Sequence, residues 1–283
     1  MKTKIVYSEK CLEYGSINAI ENASRVLEAA KILKKRSYEF VEPQSATDDD
    51  LLLAHDAKYV AAVKSGTVSD PDTPAYENIY EYAKLSVGGA IAAAGTGGFS
   101  LMRPPGHHAG ISGKALGAST RGFCYFNNIA IAVRKLCKKT VIIDIDGHHG
   151  NGTQEIFQND PRVTYISLHR RNVFPQTGSI SCGNYRNYPL EADCGAKIHS
   201  DTFKKALAEA KKELAAAELI AVSAGFDTHS GDIVSLGLET RDYFETGRQI
   251  ATIGKPTFFV FEGGYNGKNV GNDIDSFLRG FES

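Results

Sequence analysis

Thr140-Val141-Ile142-Ile143-Asp144-Ile145-Asp146-Gly147-His148-His149-Gly150 is the stretch on which the reading of this chain turns. Four β-branched residues in a row, without polar alternation, describe a strand buried on both faces, as in a parallel sheet. Two aspartates and two histidines follow at once. In an open parallel sheet, ligands bind beyond the carboxyl ends of the strands. Acid and imidazole groups gathered at such an end are therefore placed for chemistry.

Working outward, the same kind of apolar run recurs at Val163–Ser167, Leu219–Ser223 and Thr257–Phe261, with further strands at Ile5–Tyr7 and Phe99–Met102. Helical spacing fills much of the rest: residues 20–35, 49–64, 76–94, Asn127–Leu136, Ser200–Ala217 and Thr240–Ile253. Thr47-Asp48-Asp49-Asp50 supplies a cap and an acidic first turn for the second of these. The alternation predicts an α/β fold: a three-layer αβα arrangement around a mainly parallel central sheet. Residues 1–283 read as one domain, without low-complexity linkers or internal repeats. Residues 169–189, rich in Pro, Gly, Ser and Asn, read as a long irregular loop, and such loops are usually functional.

Composition narrows the function. With 32 basic and 33 acidic residues the formal net charge is -1, so no strong field favours nucleic acid or an anionic membrane. The basic clusters Lys34-Lys35-Arg36 and Lys138-Lys139 fall at helix ends, where cations complement the dipole. Five cysteines without a CxxC pair argue against a disulfide framework or a cysteine-type zinc site, and fit a reducing cytoplasm. Met1–Tyr7 lacks the apolar stretch of a signal peptide, and no apolar run reaches membrane-spanning length.

The chemistry collects at four strand ends. Beside Asp146 and His148 stand Asp227, in Ala224-Gly225-Phe226-Asp227, and Tyr265, in Glu262-Gly263-Gly264-Tyr265. His107 and His108 follow the stiff turn Pro104-Pro105-Gly106. Asp146 and His148, at i and i+2 in extended backbone, point the same way. With Asp227 they make one imidazole and two carboxylates, a set suited to catalytic Zn²⁺ with an open position. Adjacent histidines can serve as general base and acid around an activated water. The tyrosine hydroxyl can polarise a carbonyl, and the two glycines before it allow close backbone approach. Taken singly, each has a blander reading: a capping Asp with a core His, an exposed His pair, a structural turn. Their convergence favours the site.

At these residues the sequence resembles the histone deacetylase and acetylpolyamine amidohydrolase superfamily, closest in its motifs to class II members. The matching strings are Arg103-Pro104-Pro105-Gly106-His107-His108-Ala109, Gly122-Phe123-Cys124-Tyr125-Phe126-Asn127-Asn128, Asp144–Gln154, Ser167-Leu168-His169, Ala224–Thr228 and Glu262–Asn266. They run in family order over residues 100–266. The resemblance implies a deacetylase of the arginase/deacetylase fold. Asp146, His148 and Asp227 match the Zn²⁺ ligands. His107 and His108 match the tandem histidines, the second usually carrying the main acid-base role. Tyr265 matches the residue that binds the carbonyl and its oxyanion. Gly122, Phe123 and Phe174 match the walls of the acyl-lysine channel, and Asp72 a rim residue that grips substrate backbone. Asp144, Ser167 and Leu168, with backbone of Asp146 and His148, match the ligands of a buried K⁺; Asp144 also orients His107. Asn151 stands where class I enzymes carry Asp beside the second histidine, and class II members commonly have Asn. The substrates implied are an acetyl-lysine protein or peptide, an acetylpolyamine or a small acetylated amine.

Three departures stand out. The family's N-terminal His-Pro-Glu-x-Pro-x-x-Arg segment is eroded to Ala19-Ile20-Glu21-Asn22-Ala23-Ser24-Arg25, Gln176 replaces a usual glycine near the channel mouth, and an amide at Asn151 supports an imidazolium less than a carboxylate does. Two other functions compete. A binuclear Mn²⁺ ureohydrolase of the arginase type needs bridging carboxylates where this chain has Gly150 and His229. A catalytically silent acetyl-lysine-binding module would typically have lost a metal ligand, a tandem histidine or the tyrosine, and all six are present.

Overall fold

A computed structural model describes residues 2–283. The strands are β1 (Ile5–Val6), β2 (Phe40–Val41), β3 (Phe99–Ser100), β4 (Ala109–Gly110), β5 (Gly113–Lys114), β6 (Thr140–Asp144), β7 (Val163–Arg170), β8 (Tyr185–Leu190), β9 (Leu219–Ala224) and β10 (Thr257–Phe261). The helices are α1 (Ser24–Lys35), α2 (Asp48–Leu51), α3 (Ala57–Lys64), α4 (Ile79–Thr96), α5 (Asn128–Leu136), α6 (Asn151–Phe157), α7 (Gly195–Glu209), α8 (Lys211–Ala216), α9 (Thr240–Ala251) and α10 (Gly267–Phe281).

Eight strands form one sheet in the order β2-β1-β3-β10-β9-β6-β7-β8, and every pairing in it is parallel. The β4–β5 hairpin is separate and antiparallel. The period-two alternation of the central strands divides their side chains between two cores. Val141, Ile143, Val222, Phe259 and Phe261 face one layer, with Val26 of α1, Phe203 of α7, Ile250 of α9 and Phe277 of α10. Ile142, Ala221, Phe258 and Val260 face the other, with Val60 of α3, Val87 and Ala90 of α4 and Ile129 of α5. This is the expected αβα architecture. Each large apolar side chain so buried stabilises the fold by about 1.5–3 kcal/mol.

Element boundaries depart from the spacing pattern where side chains cap the backbone. The expected helix over residues 20–35 begins at Ser24, after a turn in which Asn22 Oδ1 accepts the Ser24 N–H at 2.9 Å. The 49–64 segment divides in two. Thr47 and Asp50 close a capping box around α2, and Asp56 Oδ1 accepts the Tyr59 N–H at 2.7 Å to start α3 afresh. The 200–217 helix starts earlier, at Gly195, and breaks at Ala210. The 169–189 segment is not wholly irregular: β7 runs on to Arg170, and β8 adds an edge strand. Arg186, Asn187 and Pro189 disguise β8 as a loop, and a sheet edge is where a strand tolerates such residues.

Candidate active site

The four strand ends singled out by their residues belong to four consecutive strands, β3, β10, β9 and β6, at the centre of the sheet. His107 and His108 follow β3, Glu262 and Tyr265 follow β10, Asp227 follows β9, and Asp144 ends β6 just ahead of Asp146 and His148. Parallel pairing brings all four ends to one rim.

Asp146, His148 and Asp227 are buried, and each offers one ligand atom within 4.8 Å of the others. Three backbone donors orient the carboxylates. Gly147 N–H donates to Asp227 Oδ1 at 2.7 Å, Gly263 N–H to Asp146 Oδ2 at 2.6 Å, and His148 N–H to Asp146 Oδ1 at 2.8 Å. Asp227 Oδ2 lies 2.9 Å from His148 Nδ1, yet it accepts no aligned hydrogen bond although fully buried. Burial and the negative charge of Asp146 push the Asp227 carboxyl up to about 7. Burial opposes ionisation of Asp146 too, but the imidazoles of His107 and His148 hold it low. Two buried carboxylates, one with an unspent lone pair, beside an imidazole form a donor set that fits a divalent cation of the zinc type.

The tandem histidines lie beside this trio, their ring centroids 4.0 Å apart. His107 Nδ1 is 3.1 Å from Asp144 Oδ2, and its Nε2 is 3.8 Å from Asp146 Oδ1. Burial disfavours charge on His107, but Asp146 and Asp144 outweigh it and raise the imidazole to about 10. His108 Nδ1–H donates to Asn151 Oδ1 at 2.8 Å. Asn151 is held in that sense by its own Nδ2, which donates to Ala115 O at 2.9 Å. His108 Nε2 is thereby left as the free acceptor. Burial, then the neighbouring imidazoles of His107 and His148, drive His108 well below its ordinary value. A cation at the trio adds positive charge and lowers all three imidazoles.

Asp144 and Ser167 are register partners on β6 and β7, so their side chains project to the same side. Asp144 Oδ2 also accepts from Tyr165 O–H at 2.9 Å, and Ser167 Oγ pairs with His169 Nδ1 at 2.8 Å. Among the described residues no hydrogen bond reaches the backbone carbonyls of Asp146 and His148. These oxygens fit a cation that prefers oxygen ligands.

The residues expected as channel walls lie beside His108 and Tyr265. Phe174 packs edge-on to His108, with centroids 4.9 Å apart, and Phe123 packs on Tyr265 at 5.6 Å. Gly122 adopts φ +49, and a Cβ there would meet both His108 Cδ2 and Phe174 Cε1 at 2.6 Å. Only glycine allows ring and wall to approach so closely. Gln176 takes up φ +61 in the left-handed region, which explains why glycine is usual there. Asp72 is half-buried, with Oδ2 accepting from Thr120 O–H at 2.6 Å, and lines a cavity together with Phe123.

The site also uses residues that the motif strings undervalued. Arg25 Nε donates to Gly264 O at 2.5 Å, its guanidinium lies 4.5 Å from the Tyr265 ring centroid, and Nη2 donates to Glu262 O. Glu21 binds Arg25 at 2.9 Å and Arg103 at 2.6 Å. The eroded N-terminal segment therefore keeps its working acid and base, and their i, i+4 spacing was the available signal. Glu262 joins two strand ends, its Oε2 accepting from Gly106 N–H at 2.7 Å and His107 N–H at 3.1 Å. Burial pushes Glu262 up to about 7.

Comparison with known proteins shows the family and the fold. The model of the histone deacetylase domain matches residues 17–281. A probable deacetylase of Archaeoglobus fulgidus is 34% identical over 94% of this chain and 82% of its own length. The acetylpolyamine amidohydrolase of Mycoplana ramosa is 39% identical over 67% of this chain and 58% of its own length. Among solved structures, the HDA15 HD domain superposes with a TM-score of 0.87 at 28% identity, covering 98% of this chain and 87% of that one. The chain belongs to the histone deacetylase domain family.

Proposed function

We propose that residues 1–283 act as one deacetylase domain that hydrolyses the acetyl amide of an acetyl-lysine, an acetylated polyamine or a similar small amine, with Zn²⁺ at Asp146, His148 and Asp227. Family membership supports a deacetylase-type hydrolase. The observation that carries the finer reading is the unspent Asp227 Oδ2 in the buried trio, set beside a histidine pair. A divalent ion there supplies Lewis acidity, lowering the pKa of a water and polarising the amide carbonyl.

The protein's own groups account for the remaining steps. His108 accepts the proton of the attacking water through Nε2, and the water oxygen adds to the acyl carbon. The same proton then passes to the amine nitrogen as the C–N bond breaks, giving the amine and acetic acid, which ionises to acetate as its proton is taken up by the amine or solvent. His107, oriented by Asp144, places its ring beside the reaction. Tyr265 donates its hydroxyl to the carbonyl oxygen as negative charge develops there. Phe123, Phe174 and Gly122 sheathe the methylene stem, whose removal from water is favourable, and Asp72 grips the substrate at the rim. We assign K⁺ to Asp144 and Ser167 with the backbone carbonyls of Asp146, His148 and Leu168. No described helix is long and apolar enough to cross a membrane; we place the protein in the cytoplasm.

The test is kcat for an acetyl-lysine coumarin amide and for acetylated polyamines, with and without chelator, on wild type and Tyr265→Phe. Turnover that chelator abolishes, falling about 10²–10³-fold in Tyr265→Phe with hydroxamate affinity retained, is expected. Hydroxamate binding with no turnover of any substrate would instead establish a silent acetyl-lysine binder.

A further inference from the structure

Tyr265 stands at the end of a two-glycine turn. Gly263 and Gly264 precede it, and Gly264 adopts φ +117, a conformation that residues with side chains rarely take up. A hydroxyl on such a turn meets developing charge only if the loop that carries it is held. Arg25 holds the near side through Gly264 O. The far side is held by a residue with no part in the mechanism above. Asp232 Oδ2 accepts two backbone hydrogen bonds, from Tyr265 N–H at 2.9 Å and from Asn266 N–H at 3.0 Å. Asp232 is itself fixed: its Oδ1 accepts from Ile233 N–H at 2.7 Å, and its own N–H donates to His229 O at 3.0 Å.

We propose that Asp232 is a positioning residue that latches the Tyr265 loop and so sets the aim of the tyrosine hydroxyl. The inference rests on reading Tyr265 as the oxyanion donor. Two successive N–H groups turned to one carboxylate oxygen form a small anion-binding concavity in the backbone, and such charge-assisted bonds are roughly twice as strong as neutral ones. The latch also ties two strand ends together. The loop after β9 carries Asp227 and, five residues on, Asp232. The position of the trio is thereby transmitted to the tyrosine that follows β10. A groove of about 740 Å³, lined by Ile20, Asp232, Ile233, Tyr265, Asn266 and Lys268 among others, borders the latch. A released loop therefore has open space to move into, so the unlatched tyrosine drifts from its aim rather than being held by packing alone.

The experiment compares Asp232→Ala, which removes the acceptor, with Asp232→Asn, whose side-chain oxygen still accepts both N–H groups without charge. Each is made in wild-type and Tyr265→Phe backgrounds, with zinc content and thermal unfolding measured alongside. Asp232→Ala is expected to lower kcat for an acetyl-lysine coumarin amide by roughly 10–100-fold, since a misplacement of about 1 Å costs that much. KM should stay within about threefold, and Asp232→Asn should recover most of the loss. In the Tyr265→Phe background Asp232→Ala should cost under about threefold, because no hydroxyl remains to be aimed. Amide hydrogen exchange at Tyr265 and Asn266 should quicken in Asp232→Ala while the β10 amides stay protected. An equal kinetic cost in both backgrounds, with Asn no better than Ala, overturns the aiming role in favour of a purely structural one. Unchanged exchange at Tyr265 and Asn266 overturns the latch whatever the kinetics. Wild-type turnover in Tyr265→Phe overturns the oxyanion reading and the aim with it, and the exchange rates then decide separately whether Asp232 holds the loop.

Discussion

His107 and its surroundings form one region of the site, and His108 and its surroundings another. The two residues are consecutive and both are buried. On the His107 side stand Asp144, Asp146 and Glu262; on the His108 side stand Asn151, Phe174 and Gly122. The first region stabilises positive charge and raises its imidazole, while the second withholds that support and lowers its own. Burial is common to both, so the partner groups decide the sign. One peptide bond thus separates a ring flanked by carboxylates from a ring that presents a free acceptor nitrogen, a division suited to electrostatic support on one side and proton transfer on the other.

The harshest challenge to this division is to remove the centre that both regions flank. Asp227→Ala should reduce bound zinc from about one ion per chain to near none and abolish turnover, read by elemental analysis and the coumarin assay. Full activity in a metal-free Asp227→Ala protein would dissolve the comparison entirely. Next in size, His108→Ala should lose roughly 10²-fold or more in kcat with little change in hydroxamate affinity, and His107→Ala should lose less. The opposite order would exchange the roles of the two regions.

A subtler change makes one region resemble the other. Asn151→Asp places a carboxylate 2.8 Å from His108 Nδ1. An opposite charge at that distance favours the imidazolium, so His108 should stay protonated to higher pH. The acidic limb of kcat/KM should move upward by about 1–3 pH units. An unmoved limb would show that His108 does not set it. The smallest effect is expected from Tyr165→Phe, which removes one of the donors to Asp144 Oδ2. Loss of that buried hydrogen bond should cost about 1 kcal/mol of stability in urea titration while turnover falls only modestly.

Much of this contrast was legible beforehand, because it depends on residue type at strand ends. Asp144, Asp146, His148 and Asp227 sit at or just beyond the ends of buried apolar strands, and parallel pairing does the rest. Asn151 could be named as the partner of His108, but only the bond from its amide to Ala115 O fixes which end faces the ring. Elements defined by tertiary neighbours were harder to read. The edge strand β8 carries Arg, Asn and Pro, so its pattern says loop and only its pairing with β7 says strand. Glu21 and Arg25 lay within a segment that had lost its flanking signature, and their importance emerges when Arg103 and the Gly264 carbonyl arrive from remote parts of the chain. Asp232 had no signal of its own, since its two partners are backbone amides some thirty residues away.

The strand order has a consequence for how the molecule is made. β10 is the last strand in the chain, yet it lies between β3 and β9. Without it, the strand order leaves β2-β1-β3 and β9-β6-β7-β8 unjoined, each with an open edge of the kind that can pair with the wrong chain. About 160 residues separate Ser100 from Phe261. At ~5–20 residues per second, the N-terminal half waits on the order of ten to thirty seconds on the ribosome for its neighbour. The tandem histidines belong to the first half and the aspartates to the second. Insertion of β10 therefore closes the sheet and brings the two halves of the proposed centre together in the same event.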